Sequence, residues 1–224
     1  MGIAENIVSL RNTIPQNVKI IAVSKTMPVP DLLTAYNAGQ RAFGENKVQE
    51  LIQKQPLMPG DVEWHMIGHL QSNKIKYIVS WIHLIHSVDS LKLLVEINRE
   101  ASKINRIVDC LLQIHIASEE SKFGLSFEKA SALLNSDEFK RASHIRIRGL
   151  MGMATFTDDE IRVRKEFDQL VSYFTMIREK WFHDDALFSE LSMGMSGDYK
   201  LAIDAGSTMV RIGTSIFGER NYNA

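Results

Sequence analysis

An α/β fold, a single (β/α)8 TIM barrel spanning residues 1–224, is what this sequence predicts. Three observations carry the expectation. Short apolar runs rich in β-branched residues, the pattern of strands buried on both faces, recur eight times. Helix-periodic segments stand between them, as in parallel strands joined by crossovers. No linker, low-complexity stretch or repeat beyond this alternation interrupts the chain. A doubly wound open sheet is the rival architecture. It would carry a glycine-rich loop after its first strand; Ser24-Lys25-Thr26-Met27 is not one, and there is no Walker loop.

The elements follow in order. The apolar run 18–26 is the first strand, stopped by Pro28 and Pro30, and 31–38 is a helix closed by Gly39. Residues 41–45 form a second strand and 46–55 a helix; 63–69 is a third strand, with a helix over 72–79. The fourth strand is 82–88. Asp89-Ser90 opens a long helix with Leu94, Ile97, Ala101 and Ile104 on one face. Strand five is 109–117, followed by a helix over 126–134, and strand six is 145–151. The clearest helix comes next, with Val163, Phe167, Leu170, Phe174, Ile177 and Trp181 at three- and four-residue steps. Strand seven is 186–193, a helix over 198–205 ends at Gly206, and strand eight is 209–212. Too little chain follows for a full last helix, so the apolar N-terminal helix 3–10 is expected to cover that gap or the barrel floor.

Composition excludes several function classes. With 45% hydrophobic and 24% charged residues, the 224-residue chain has ample material for a core. A net charge of −1 gives no global attraction to nucleic acid or anionic lipid. No apolar stretch has the length of a membrane span. The N-terminus lacks a secretory pattern, and Met1-Gly2 lacks the Ser or Thr that myristoylation prefers. The single cysteine, Cys110, lies in an apolar run and reads as a packing residue. A cytoplasmic protein is expected.

In such a barrel the chemistry sits at the carboxyl ends of the strands. Lys25 ends strand one, where an amine at a pocket floor can be desolvated and attack a carbonyl. Asn46, His65, His69, Ser87 and Met151 stand at or near the ends of strands two, three, four and six. After strands seven and eight, Ser192, Gly194 and Ser196, then Gly213-Thr214, supply hydroxyls and close backbone approach, the features of a phosphate cradle. A carbonyl-reactive lysine facing such a cradle suggests either pyridoxal phosphate held as an aldimine on Lys25 or a Schiff-base sugar-phosphate aldolase. Arg211 separates the two. It precedes the second turn, where it can donate to a pyridine nitrogen, which an aldolase does not need. A donor-only partner keeps that nitrogen unprotonated and the ring a weaker electron sink.

Several blocks resemble the pyridoxal-phosphate homeostasis protein family. They are Ile21 to Thr26, Phe43 to Glu50, Trp64 to Lys74, His86 to Ser90, Lys122 to Gly124, Leu191 to Ser196 and Gly206 to Gly218. They stand in family order across nearly the whole chain. The resemblance implies a PLP-binding barrel of the alanine racemase N-terminal domain type, without that enzyme's second domain. It implies Lys25 as the cofactor lysine, Ser192, Gly213 and Thr214 near the phosphate, and Arg211 near the ring nitrogen. Asn46, His65, Ser87 and Met151 would line the pocket, and Met193 belongs to the cofactor-binding set. Met151-Gly152-Met153-Ala154-Thr155 departs from the family's sixth-strand segment.

Other polar residues carry blander expectations. His65 and His69, four apart on a strand entering a loop, would share a face; no cysteine or carboxylate cluster completes a site, and no metal is expected. His83 and His115 read as satisfied barrel or interface residues. The basic stretch 141–148 has no aromatic platform and reads as strand-flanking surface, not a nucleic-acid site. Asp158-Asp159-Glu160 suits a helix start. The tail around Tyr222 is expected to be disordered.

A carrier that buffers or delivers pyridoxal phosphate, possessing PLP-dependent apoenzymes as partners, is therefore expected, with an amino-acid racemase as the alternative. A racemase needs an acid–base residue on each face of its substrate. Tyr36, Tyr77, Tyr173 and Tyr199 are not placed at strand carboxyl ends, and the sequence continues only ten residues beyond Thr214. A monomer without membrane contact is expected.

Overall fold

Eight parallel strands close on themselves in sequence order, with β1 hydrogen-bonded to β8. The computed structural model describes residues 2–118 and 123–219. The strands are β1 (Lys19–Val23), β2 (Ala42–Glu45), β3 (Glu63–Met66), β4 (Leu84–Val88), β5 (Val108–His115), β6 (Ile145–Met153), β7 (Glu190–Met195) and β8 (Met209–Ile212). The helices are α1 (Ile3–Thr13), α2 (Val29–Asn37), α3 (Val48–Lys54), α4 (Leu91–Ser102), α5 (Phe127–Asn135), α6 (Asp137–Lys140), α7 (Glu160–Trp181), α8 (Tyr199–Ala205) and α9 (Thr214–Phe217).

Strand alternation divides the apolar residues into two cores. Ile21, Ala42, Leu84, Leu111, Met151 and Met209 fill the barrel interior. A larger core between strands and helices takes the other strand face, including Ala22, Phe43, Ile85 and Leu112, with Phe167, Leu170 and Ile177 of α7. Each of the larger of these side chains, the leucines, isoleucines, methionines and phenylalanines, contributes about 1.5–3 kcal/mol on burial. Charge collects at the amino-terminal mouth, where Lys19 pairs with Glu63 at 3.0 Å and Arg148 with Asp109 at 2.8 Å. Cys110 is buried, and burial pushes its thiol pKa up, leaving it inert as expected.

Several boundaries differ from the sequence pattern for local reasons. β1 stops at Val23 because a turn, Met27 N–H to Ser24 O at 3.0 Å, lifts Lys25 out of the ladder. β3 stops at Met66, not residue 69. Gly68 there lies so close to the β2 loop that a Cβ would sit 2.4 Å from the Asn46 carbonyl oxygen. Residues 186–189 are not strand. Ala186 to Phe188 form a turn on Asp185, Phe188 stacks on Phe182 at 4.3 Å, and β7 begins at Glu190. The segment 72–79 is a 3-10 helix over Ser72–Tyr77, and its buried Ile75 and Ile78 fall at the three-residue repeat of that helix. α7 starts at Glu160, three residues before its apolar stripe, because Asp159 caps the Arg162 N–H at 3.1 Å. α6, capped by Ser136, has no apolar signature in the sequence.

Among the described residues the last helix, α9, is a single turn, and α1 fills the gap beside it. α1 packs on α2 and α9, and Asn6 Nδ2 donates to Ile216 O at 2.9 Å. Tyr222 and the acids at 119–120 lie outside the described residues. Among the described residues no helix is long and apolar enough to cross a membrane.

Candidate functional site

A cavity of about 570 Å³ opens at the carboxyl ends of the strands. That volume suits a small-molecule ligand. Lys25 and Asn46 line one side, Ser196, Gly213 and Thr214 the other, and Arg211 the floor.

Lys25 stands in a turn that a buried polar network holds from outside the barrel. The following residue, Thr26, is left-handed at φ 66, and its N–H donates to Glu50 Oε2 at 2.7 Å. A non-glycine residue in that region stores strain that its surroundings must hold. Lys54 of α3 fixes the other side. Its Nζ donates to Ser24 O at 2.8 Å, Glu45 Oε1 at 2.8 Å and Glu50 Oε2 at 2.9 Å, using all three ammonium hydrogens. Ser24 Oγ donates to the same Glu45 oxygen at 2.7 Å. Burial raises the Glu45 carboxyl to about 7 despite Lys54 and Ser24. Burial also works to raise Glu50, but the bonds from Lys54 and Thr26 outweigh it and hold that carboxyl below its ordinary value. Both residues flanking Lys25 are thus pinned.

Arg211 is held just as firmly. Its terminal nitrogens donate to Ser192 O at 2.8 Å, Ser192 Oγ at 2.7 Å and Gly152 O at 2.9 Å. Burial lowers its pKa to about 10, partly opposed by Asp198, and it stays charged near neutrality. Below it runs a buried relay. Ser192 Oγ lies 3.0 Å from His86 Nδ1, and His86 Nε2 lies 2.8 Å from His65 Nδ1. Burial holds both imidazoles well below their ordinary pKa, helped by His86 for His65 and by Arg211 for His86. Arg211 can only donate, so the Ser192 hydroxyl accepts from it and gives its own hydrogen to His86. Two neutral rings then pass the direction on, and His65 is left with a buried Nε2 that has no partner.

The two turns after β7 and β8 are joined, because Ser196 Oγ accepts from Gly213 N–H at 3.2 Å. Gly194 makes the bend. Its φ is +92, and a Cβ there would sit 2.5 Å from Ala202 Cβ. Asp198 accepts from Met195 N–H at 2.5 Å; burial raises its carboxyl above the ordinary value, against that bond and Arg211.

Of the sequence-predicted residues, Lys25, Asn46, His69, Ser196, Arg211, Gly213 and Thr214 border the cavity. Ser192 and His65 do not; they lie beneath the floor in the relay. Met151 sits in the barrel interior. Met193 packs in the strand–helix core, one residue out of phase with inward-facing Ser192. Ser87, out of phase with His86 in the same way, is fully buried with its Oγ unpartnered. His65 and His69 do not share surroundings. His69 lies beyond the end of β3, pairs with Asp89 Oδ2 at 3.3 Å and packs on Phe123.

The sequence reading missed one side of the cavity, formed by Gln113, Phe123, Met153 and 155–158. Glu166 of α7 staples it. That carboxylate accepts from Ser118 N at 3.0 Å, Ser118 Oγ at 2.8 Å, Thr155 N at 2.7 Å and Thr155 Oγ1 at 2.8 Å. Thr155 follows strand six as Lys25 follows strand one, which was the available signal.

Comparison with known proteins fits this geometry. The chain matches the family described as alanine racemase, N-terminal domain, over residues 2–221. It is 40% identical over 211 residues to the pyridoxal phosphate homeostasis protein of Pasteurella multocida, covering 92% of this chain and 88% of that one. The chain belongs to the pyridoxal phosphate homeostasis protein family. PipY of Synechococcus elongatus, solved with PLP bound, superposes with a TM-score of 0.87 at 37% identity, over 96% of this chain and 100% of that chain. Alanine racemase from E. faecalis superposes with a TM-score of 0.76 at 13% identity, over 97% of this chain but 58% of that one. That likeness is one of fold. The expected barrel of alanine racemase N-terminal type is therefore the observed one.

Proposed function

We propose that this protein, as one domain over residues 1–224, binds pyridoxal 5'-phosphate reversibly through Lys25 and buffers it or delivers it to apoenzymes in PLP homeostasis. One observation carries the reading: a lysine pinned on both sides faces a joined two-turn cradle across one cavity, with a buried arginine at the floor. When bound, the group supplies an aldehyde that can condense with a lysine amine. Lys25 would hold it covalently. Ser196 and Thr214 would hold its phosphate by hydroxyl and backbone donors, with Gly213 at the turn beside it, and Arg211 would donate to its ring nitrogen. Three of the five guanidinium N–H groups are committed to protein oxygens, which leaves donors for that contact. The PLP-bound relative named above supports the ligand, and the homeostasis relatives support the role.

A carrier is favoured over a racemase because Arg211 supports a weak electron sink and none of the described tyrosines lines the cavity. The mouth also carries exposed Phe123, Met153 and Phe156, the last 95% exposed, an apolar rim suited to a recipient protein. The test is α-proton exchange of small amino acids by the loaded protein. Carriage predicts exchange no faster than free PLP gives. Enzyme-like exchange that disappears in Lys25→Ala would make the protein a racemase instead.

A further inference from the structure

The opposite end of the barrel holds a cluster that the cavity does not use. Glu63 opens β3, His65 follows two residues later on the same face, and His83 immediately precedes β4. Pairing of His65 with Leu84, and the bond from His83 N–H to Trp64 O at 2.9 Å, bring the three together. One ligand atom from each lies within 4.8 Å of the other two. His83 Nε2 is 3.8 Å from Glu63 Oε2, and the rings of His65 and His83 are 5.2 Å apart.

We propose that Glu63, His65 and His83 form a site for a divalent transition metal of the zinc class at the amino-terminal mouth. Two imidazoles and one carboxylate are a donor set that suits zinc better than calcium or magnesium. The independent observation is His65. Its Nε2 is fully buried and unpartnered, while Nδ1 is held by His86 at 2.8 Å. A ligating histidine has that arrangement, one nitrogen for the metal and the other fixed by a neighbour. Binding through Nε2 requires the hydrogen on Nδ1, donated to His86 Nε2. His86 then carries its hydrogen on Nδ1, toward Ser192 Oγ. That reverses the direction set in the metal-free chain: Ser192 Oγ accepts from both Arg211 and His86 on its two lone pairs, and neither ring is charged.

The adjustment needed is small. Tetrahedral ligation at zinc puts donor atoms about 3.3 Å apart. His65 is fixed, but the side chains of His83 and Glu63 are 45% and 35% exposed and free to rotate at the mouth. Lys19 must release Glu63, now 3.0 Å from its Nζ, and such an exposed pair contributes little. Water from the mouth can fill the fourth position.

The test is calorimetric titration of zinc chloride into the untagged full chain without added PLP, with cobalt(II) absorption as the second readout. One equivalent should bind, with a tetrahedral cobalt spectrum. His83→Ala and Glu63→Gln should each weaken binding by about tenfold or more. Both residues are partly exposed, and thermal melts would verify folding. His183→Ala, at an exposed His–Asp pair elsewhere, should change nothing. No binding, or binding that survives either His83→Ala or Glu63→Gln, overturns the proposal. Neither readout depends on the PLP reading.

Discussion

Replacing Glu45 by Gln should flatten the pH dependence of stability by a predictable amount. The folded carboxyl titrates at about 7 because it is buried; its ordinary value is 4.5. Between those values the folded chain holds a proton that the unfolded chain has lost. Stability from this group is therefore fully present below pH 4.5 and is lost as pH rises through about 7. For a 2.5-unit separation, the difference between 7 and 4.5, the loss between pH 5 and pH 7.5 is about 2 kcal/mol. Glutamine keeps an oxygen for Ser24 Oγ and Lys54 Nζ but cannot ionise. Urea unfolding at pH 5 and pH 7.5 measures both proteins, and the other titrating groups cancel in the difference. Relative to wild type, Glu45→Gln should gain about 2 kcal/mol on going from the lower to the higher pH. Equal pH dependence in the two proteins would refute a Glu45 that is buried and reluctant to ionise.

Two further perturbations probe the loops. Gly194→Ala forces a side chain into φ +92 and within 2.5 Å of Ala202, so it should destabilise by more than about 1 kcal/mol and weaken PLP binding, read by a thermal melt and a PLP titration. Glu166→Ala leaves the Thr155 backbone N–H without its acceptor and the Ser118 N–H with only Thr155 Oγ1, at 3.1 Å. It should cost about 1–3 kcal/mol and raise hydrogen exchange at Ser118 and Thr155, with the β1 turn unaffected.

How much of this was legible in the sequence depends on which interactions are local. The strand count could be read because parallel strands buried on both faces leave continuous apolar runs. The placement of Lys25, Arg211 and Gly213-Thr214 around one cavity was legible because the loops after barrel strands converge at one end. Met193 and Ser87 were misplaced by a single residue of strand phase, which reverses the face a side chain occupies. The Lys54 network was hidden because it joins a helix to two strand ends, and no spacing rule relates residues 24, 45 and 54. His65 was paired with His69 by sequence distance, whereas the register of β3 against β4 brings it to His83.

The central claim is that Lys25 is the covalent tether for PLP. Loading the protein with PLP, reducing with borohydride and mapping the peptides tests it most directly. The account predicts a pyridoxyl group on Lys25 and its loss from the loaded site in Lys25→Ala. An adduct confined to another lysine, or a protein that cannot be loaded at all, would contradict it.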